Sequence, residues 1–344
     1  MIKNILITGN LGYIGSVLVP ELSKKLNVTG FDIGYFKDCS LEKDKKLKNF
    51  KQIYRDIRKI KEQDLKDIDC VVHLAALSND PVGQFNHKIT YDINYLGTVK
   101  LAKLAKKMGV KKFIYISSQS IYGISNKDEF LDEYKSKKNP VTAYAKSKWL
   151  SEKFLKKIKS KKFKVVSLRP STVFGSSPRL RSDIMLNNFL LNAYYNKKIT
   201  IVSDGLPWRP ILHIQDLCNV IKNLIINNYH NINGKAFNIG LNGGNYRVID
   251  LAIKVLKKLK NISVEITNTH GEDQRTYKVS FKRIYKLCGK KIITKDVEYG
   301  VNELIDYFKK LNYKKKLIYK KTVRINHLKY LIKKGVINKN FEFN

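Results

Sequence analysis

Two residues four positions apart raise the first question of chemistry. In the stretch NPVTAYAKSK, Tyr144 and Lys148 fall on one face of an expected helix, about one turn from each other. An ammonium beside a phenol favours the phenolate and lowers the tyrosine pKa from its ordinary value of about 10, so the pair can take and return a proton near neutral pH. A third hydroxyl, Ser118, follows the apolar run FIYIS at the carboxyl end of an expected strand, where open α/β sheets bind their ligands. From there it can hydrogen-bond the same substrate oxygen as Tyr144 and fix its position during proton transfer. A Tyr-x-x-x-Lys pair alone is common on solvent-facing helices; the company of Ser118 gives it weight.

Near the N-terminus, LITGNLGYIGS sets Gly9, Gly12 and Gly15 between an expected strand and an expected helix. Backbone N–H groups at such a helix start receive a pyrophosphate, and the glycines permit the tight turn, the close approach of phosphate and the packing of helix on strand. Asp32 ends the second expected strand, about 20 residues later, where a carboxylate accepts from the adenosine ribose hydroxyls and repels a 2′-phosphate. That favours NAD over NADP. Asp56, after the third strand in YRDIR, is placed for the adenine edge.

The elements that must position these groups read as alternating β and α. Strands are expected at Lys3–Thr8, Asn27–Asp32, Phe50–Tyr54, Cys70–Leu74, Lys112–Ser117 and Phe163–Leu168, with helices at Tyr13–Leu26, Tyr91–Met108 and Val141–Lys159. The fold class is therefore α/β, a doubly wound parallel sheet with helices on both faces. After Pro170 the texture becomes turn-rich, with helix-like pieces at Ile184–Tyr195 and Ile214–Asn228 and a strand at Ala236–Ile239. We divide the chain into a dinucleotide-binding domain at 1–170 with later segments interleaved, a smaller α/β lobe at 171–310, and a basic extension at 311–344.

Composition narrows the classes further. Four cysteines, Cys39, Cys70, Cys218 and Cys288, lie far apart without metal-ligand spacing, so reduced thiols and no metal are expected. The net charge of +38 would suit a nucleic-acid binder, but the lysines are scattered over the polar faces of nearly every helix and no nucleic-acid motif is present. The exception is Lys309–Lys334, with 11 Lys/Arg and no acid, read here as a positively charged terminal helix pair. Neither a signal peptide nor an apolar stretch of about 20 residues is found, which implies a cytoplasmic protein with no membrane partner.

Taken together, TGNLGYIG, FD, HLAA, DINYLGT, SSQSIYG, AYAKSK and LRPSTVFG resemble, in order and spacing, the extended short-chain dehydrogenase/reductases, in their branch of NAD-dependent nucleotide-sugar epimerases and dehydratases. The resemblance covers roughly residues 3–290. It implies a Rossmann-type domain holding NAD, with Tyr144 as base, Lys148 on the nicotinamide ribose and Ser118 on the substrate hydroxyl. By the same likeness the cofactor is lined by Gly9, Gly12, Tyr13, Ile14, Gly15, Asp32, Asp56, Ile57, Leu74, Ala75, Ala76, Pro170 and Val173. The nucleotide-sugar substrate would meet Ser78, Asn79, Gln119, Arg179, Arg181, Arg209 and Arg275, with Arg209 clamping the diphosphate through bidentate bonds. Asn94 resembles the family's asparagine beside the site, structural or water-positioning. His73 and His213 are expected to be packed structural histidines, and a homodimer is implied by the resemblance.

The reaction is less constrained. Family dehydratases carry an Asp-Glu pair after the catalytic hydroxyl, whereas here those places hold Gln119 and Ser120, neither a competent acid. Oxidation, rotation of the keto-sugar and return of hydride to its other face, an epimerisation at C4, is the simplest remaining cycle. A nucleotide-sugar dehydrogenase or reductase would use the same residues. A non-catalytic dinucleotide-binding or nucleic-acid-binding protein on this fold is the alternative from another class. ALSNDPVG and LRPSTVFG depart from the best-known 4-epimerases, and Asp80 within the former is read as a sugar ligand, an extra acid or a loop cap.

Overall fold

A computed structural model describes residues 2–43, 46–78, 86–125, 129–269 and 275–344. Strands β1 (Asn4–Thr8), β2 (Asn27–Asp32), β3 (Phe50–Tyr54), β4 (Cys70–His73), β5 (Lys112–Ile116), β6 (Phe130–Leu131), β7 (Lys164–Pro170), β8 (Thr172–Phe174), β9 (Lys198–Ile201), β10 (Trp208–His213), β11 (Lys235–Ile239), β12 (Asn245–Arg247), β13 (Ser263–Ile266) and β14 (Lys278–Val279) follow in chain order. Seven of them form one parallel sheet in the order β3-β2-β1-β4-β5-β7-β11, the topology of a Rossmann-type doubly wound domain.

Burial on both faces explains the near-continuous apolar strands. Along β1, Ile5 and Ile7 enter one core while Leu6 enters the other, and along β5 Ile114 and Ile116 oppose Phe113 and Tyr115 in the same way. Helices α1 (Gly15–Leu22), α2 (His87–Tyr91), α3 (Gly97–Lys107) and α4 (Ala143–Ile158) cover the sheet. The expected Tyr13–Leu26 helix ends early, because Lys25 N donates to Leu22 O and closes the segment as a tight turn. The expected Tyr91–Met108 helix is interrupted by a π turn at Asp92–Leu96, a widening often found at functional sites.

The second lobe contains α5 (Met185–Asn196), α6 (Ile214–Ile226), α7 (Val248–Leu256), α8 (Lys282–Cys288) and α9 (Val297–Leu311), with the small sheet β12-β10-β8 at its join to the main domain. Strand β11 returns from this lobe to the edge of the main sheet. The basic tail then folds as α10 (Lys315–Thr322) and α11 (Arg324–Lys333) and crosses back to the first half. There Leu328, Leu331, Ile337 and Phe341 join the core formed by Leu6, Phe31 and Tyr35. Tyr35 donates to the Phe341 carbonyl and Arg58 to that of Asn340 at 3.0 Å. Among the described residues, no helix is long and apolar enough to cross a membrane.

Candidate active site

A cleft of about 980 Å³ runs along the carboxyl ends of the central strands and is walled by both lobes. The glycine turn forms one end. Gly9 has φ of +73°, and a Cβ there would meet Ala75 N at 2.6 Å, so this glycine is required by the tight turn itself. Gly15 is required by packing, because a Cβ would lie 2.5 Å from the Asn10 backbone. Gly12 differs: the one protein atom near its added Cβ is Gly9 O at 3.1 Å, and the residue borders the cleft.

Asp32 lies beside this turn. Its carboxylate accepts from Leu11 N at 3.2 Å and Gly34 N at 2.8 Å, while burial raises its pKa above the ordinary value and those two N–H groups oppose the rise. Asp56 borders the same end, held by Arg58 through backbone N (2.8 Å) and guanidinium (2.9 Å from Nε, 2.5 Å from Nη2). Ile57, Leu74, Ala75, Ala76, Tyr13, Ile14, Pro170 and Val173 all line the cleft, although the Tyr13 hydroxyl is committed to Gly175 O at 2.7 Å. The residues expected at the cofactor therefore converge on one cavity.

Helix α4 presents the proton-transfer candidates. Thr142 caps it by accepting from Ala145 N at 3.2 Å, and the helix then carries Tyr144 and Lys148 into the cleft beside Ser118. Lys148 is 3% exposed and donates to Ile116 O at 2.7 Å; its Nζ lies 5.9 Å from the Tyr144 ring centre. Burial pushes its pKa down to about 7. One turn on, Glu152 pairs with Arg169 of β7 (2.7 Å), both buried, which fixes α4 against the sheet. Ser118 Oγ donates to Ser120 Oγ at 3.0 Å and accepts from Ser120 N at 3.1 Å; Arg275 Nη1 donates to the same Ser120 Oγ at 2.5 Å.

On the substrate side, Ser78, Arg181, Arg209 and Arg275 line the cleft. Arg181 donates to Ser78 Oγ at 2.8 Å and pairs with Asp183 at 2.7 Å. Asn79, like Asp80, lies outside the described residues. Two expectations are corrected. Gln119 does not line the cleft: it is buried, donating to Arg169 O (3.0 Å) and Ile239 O (3.4 Å) and accepting from Ser171 Oγ (3.2 Å), where it bridges the ends of β7 and β11. Arg179 also turns away from the cavity lining, its guanidinium held by the carbonyls of Phe36 and Lys37 after β2.

Asn94, on the π turn, accepts from Leu77 N at 2.8 Å and donates to Leu77 O and Ser147 Oγ, both at 3.2 Å, pinning the loop after β4 to α4. His73 is buried between Thr8 (2.6 Å) and Thr98 (2.8 Å), with its pKa pushed down to about 3 by burial. His213 is equally buried, 3.0 Å from Glu303. Sequence reasoning missed Arg324, Asp183 and Phe36, which also line the cleft. Only the position of Asp183, two residues after Arg181, offered a signal. Among the described residues, no group of His, Cys, Asp and Glu could hold a metal ion.

This sheet order, with a glycine turn, a strand-end serine and a Tyr-Lys helix around one cleft, defines an extended short-chain dehydrogenase/reductase. Residues 5–240 match the NAD dependent epimerase/dehydratase family, and the chain belongs to it; its cofactor is NAD. A mouse (Mus musculus) dTDP-D-glucose 4,6-dehydratase is 28% identical over 327 residues, 90% of this chain and 89% of that protein. UDP-glucuronic acid decarboxylase 1 of Xenopus tropicalis is 24% identical over 320 residues, 90% and 72% of the two chains. The solved UDP-glucuronic acid 4-epimerase of Bacillus cereus, in complex with UDP-glucuronic acid and NAD, superposes with a TM-score of 0.77 at 26% identity, covering 90% of this chain and all of that one. The residues fit a dinucleotide: Gly12 borders the cleft with only Gly9 O near an added Cβ, and Asp32 lines the cavity at the end of β2.

Proposed function

We propose that this enzyme is a nucleotide-sugar 4-epimerase working through a 4-keto sugar. Tyr144 removes the proton of the C4 hydroxyl and returns it at the end of the cycle, while Ser118 holds the same oxygen. Lys148 stabilises the phenolate form of Tyr144 and bonds the nicotinamide ribose. NAD, which the glycine turn and Asp32 would hold, would supply the acceptor for the C4 hydride and its return to the opposite face of the sugar. No net oxidation results, since the C–H and O–H bonds broken in the first half are remade in the second. Arg209 and Arg275 hold the diphosphate of the substrate, and Arg181 with Ser78 lines the path to it. A homodimer belongs to this reading.

One observation carries the choice of epimerisation. Dehydration begins with the same oxidation but needs a carboxyl group to expel a hydroxyl, and the two residues after Ser118 supply none. Gln119 is spent on the carbonyls of β7 and β11, and Ser120 is bound by Arg275. Incubation of the purified protein with candidate nucleotide sugars and no added NAD tests the proposal. The epimer is expected, without accumulation of reduced cofactor. Stoichiometric reduced cofactor would point to a dehydrogenase, and a 4-keto-6-deoxy or decarboxylated sugar to the chemistry named for the relatives; either product contradicts the epimerase.

A further inference from the structure

The basic tail, which the proposed reaction leaves without a role, brings one guanidinium to the dinucleotide end of the cleft. Arg324 opens α11, is 4% exposed, and lines the cleft with Asp32, Phe36 and Arg181. Its Nη2 donates to Arg179 O at 2.8 Å, its guanidinium carbon stacks 4.5 Å from the centre of the Phe36 ring, and its buried Nη1 has no hydrogen-bond partner among the described residues. The nearby Asp183 is already paired with Arg181. Burial pushes the Arg324 pKa down to about 10, with Arg181 and Arg179 acting in the same direction and the neighbouring Cys39 and Asp183 opposing them.

A buried cation with an orphaned donor is costly unless an anion completes it. The glycine turn opens on the same cavity and, by the reading above, receives a diphosphate there. We propose that Arg324 is a ligand of the NAD diphosphate, so that the C-terminal segment 312–344 closes the cofactor site and retards loss of NAD between turnovers. The inference rests on the NAD-binding reading. The segment is anchored where such a clasp needs to be: His327 Nε2 lies 2.9 Å from Tyr35 O, Tyr35 donates to Phe341 O, and Arg58 donates to Asn340 O.

The test uses the full-length protein stripped of nucleotide, titrated calorimetrically with NAD, ADP-ribose, NADP and adenosine. Arg324→Met, which keeps an apolar stem against Phe36, is expected to weaken NAD and ADP-ribose about ten- to a hundredfold while leaving adenosine unchanged. Arg324→Lys should recover part of the loss. A folded Arg324→Met that binds ADP-ribose as tightly as the wild type overturns the proposal. So does a loss confined to NADP, which would place the arginine at a 2′-phosphate, or an equal loss for adenosine, which would mark a packing defect. Should Arg324→Met fail to fold, hydrogen exchange on the wild type decides: ADP-ribose, and not adenosine, should slow exchange in residues 318–333, and equal behaviour with both ligands overturns the idea. Wild-type protein that binds no dinucleotide would sink the cofactor reading and this proposal with it; intact wild-type binding with an unaffected Arg324→Met sinks this proposal alone.

Discussion

The glycine turn and the C-terminal helix pair both contribute to the cleft, the pair through Arg324, yet they are built from opposite materials. The turn spans Gly9 to Gly15 and works by leaving side chains out, so its shape follows from backbone sterics over seven residues. The C-terminal segment reaches the cleft through Arg324, bonded to Arg179 O 145 positions away, and is tied down by Arg58 and Tyr35 donating to Phe341 O across 283 and 306 positions. A short-range device takes most of its shape from its own backbone, with Phe31, Asp32 and Ala75 packed against it. A long-range one exists only when the whole sheet and its covering helices are formed.

The sharpest way to separate chemistry from cofactor holding is Tyr144→Phe. Turnover should fall by about 10² or more while copurifying NAD, measured by absorbance after denaturation, stays unchanged. Parallel losses of both would mean that Tyr144 serves the architecture. The glycines divide next. Gly15→Ala drives a Cβ into the Asn10 backbone and should lower the melting temperature, whereas Gly12→Ala should melt near the wild type and lose NAD. If the two variants behaved alike, the distinction between packing glycine and ligand glycine would fail.

Lys148 gives a pH signature. Its pKa is depressed from 10.5 to about 7 by burial, so between those values the unfolded chain carries the proton and the folded one does not. Stability of the nucleotide-free protein should therefore rise with pH across that window, by at most about 1.4 kcal/mol per pH unit, and show no Lys148 contribution to the slope below about pH 7, where both states hold the proton. Denaturant melts of Lys148→Met should lack that rise. The smallest effect is assigned to Asp32→Ala, for which about tenfold weaker NAD binding is expected in calorimetry, the scale of losing a charge-assisted hydrogen bond to the ribose. Unchanged affinity would remove Asp32 from the cofactor site.

What could be read in advance follows the same division. Alternating apolar runs placed β1 to β5 within a residue or two, because a parallel sheet buried on both faces imprints itself on the local sequence. Gly9, Gly12, Gly15, Ser118, Tyr144 and Lys148 were legible because each acts at an element boundary or at a fixed helical spacing, and the cleft gathers all of them. Gln119 was not, since its partners are the carbonyls of Arg169 and Ile239, 50 and 120 residues away. Arg179 and Arg324 exchanged places for the same reason: the loop arginine found Phe36 and Lys37 carbonyls before it found the cleft, while a residue in the least readable part of the chain lines it. Charge runs reveal a helix's solvent face but not which single cation turns inward.

The account's central claim is that hydride leaves C4 and comes back to the same carbon. A nucleotide sugar bearing deuterium at C4, incubated with the enzyme and no added NAD, tests it most directly. Mass spectrometry and proton NMR should find the C4 epimer with its deuterium retained at C4. Replacement of that deuterium by solvent hydrogen, or release of a keto or dehydrated sugar in place of the epimer, would contradict the account.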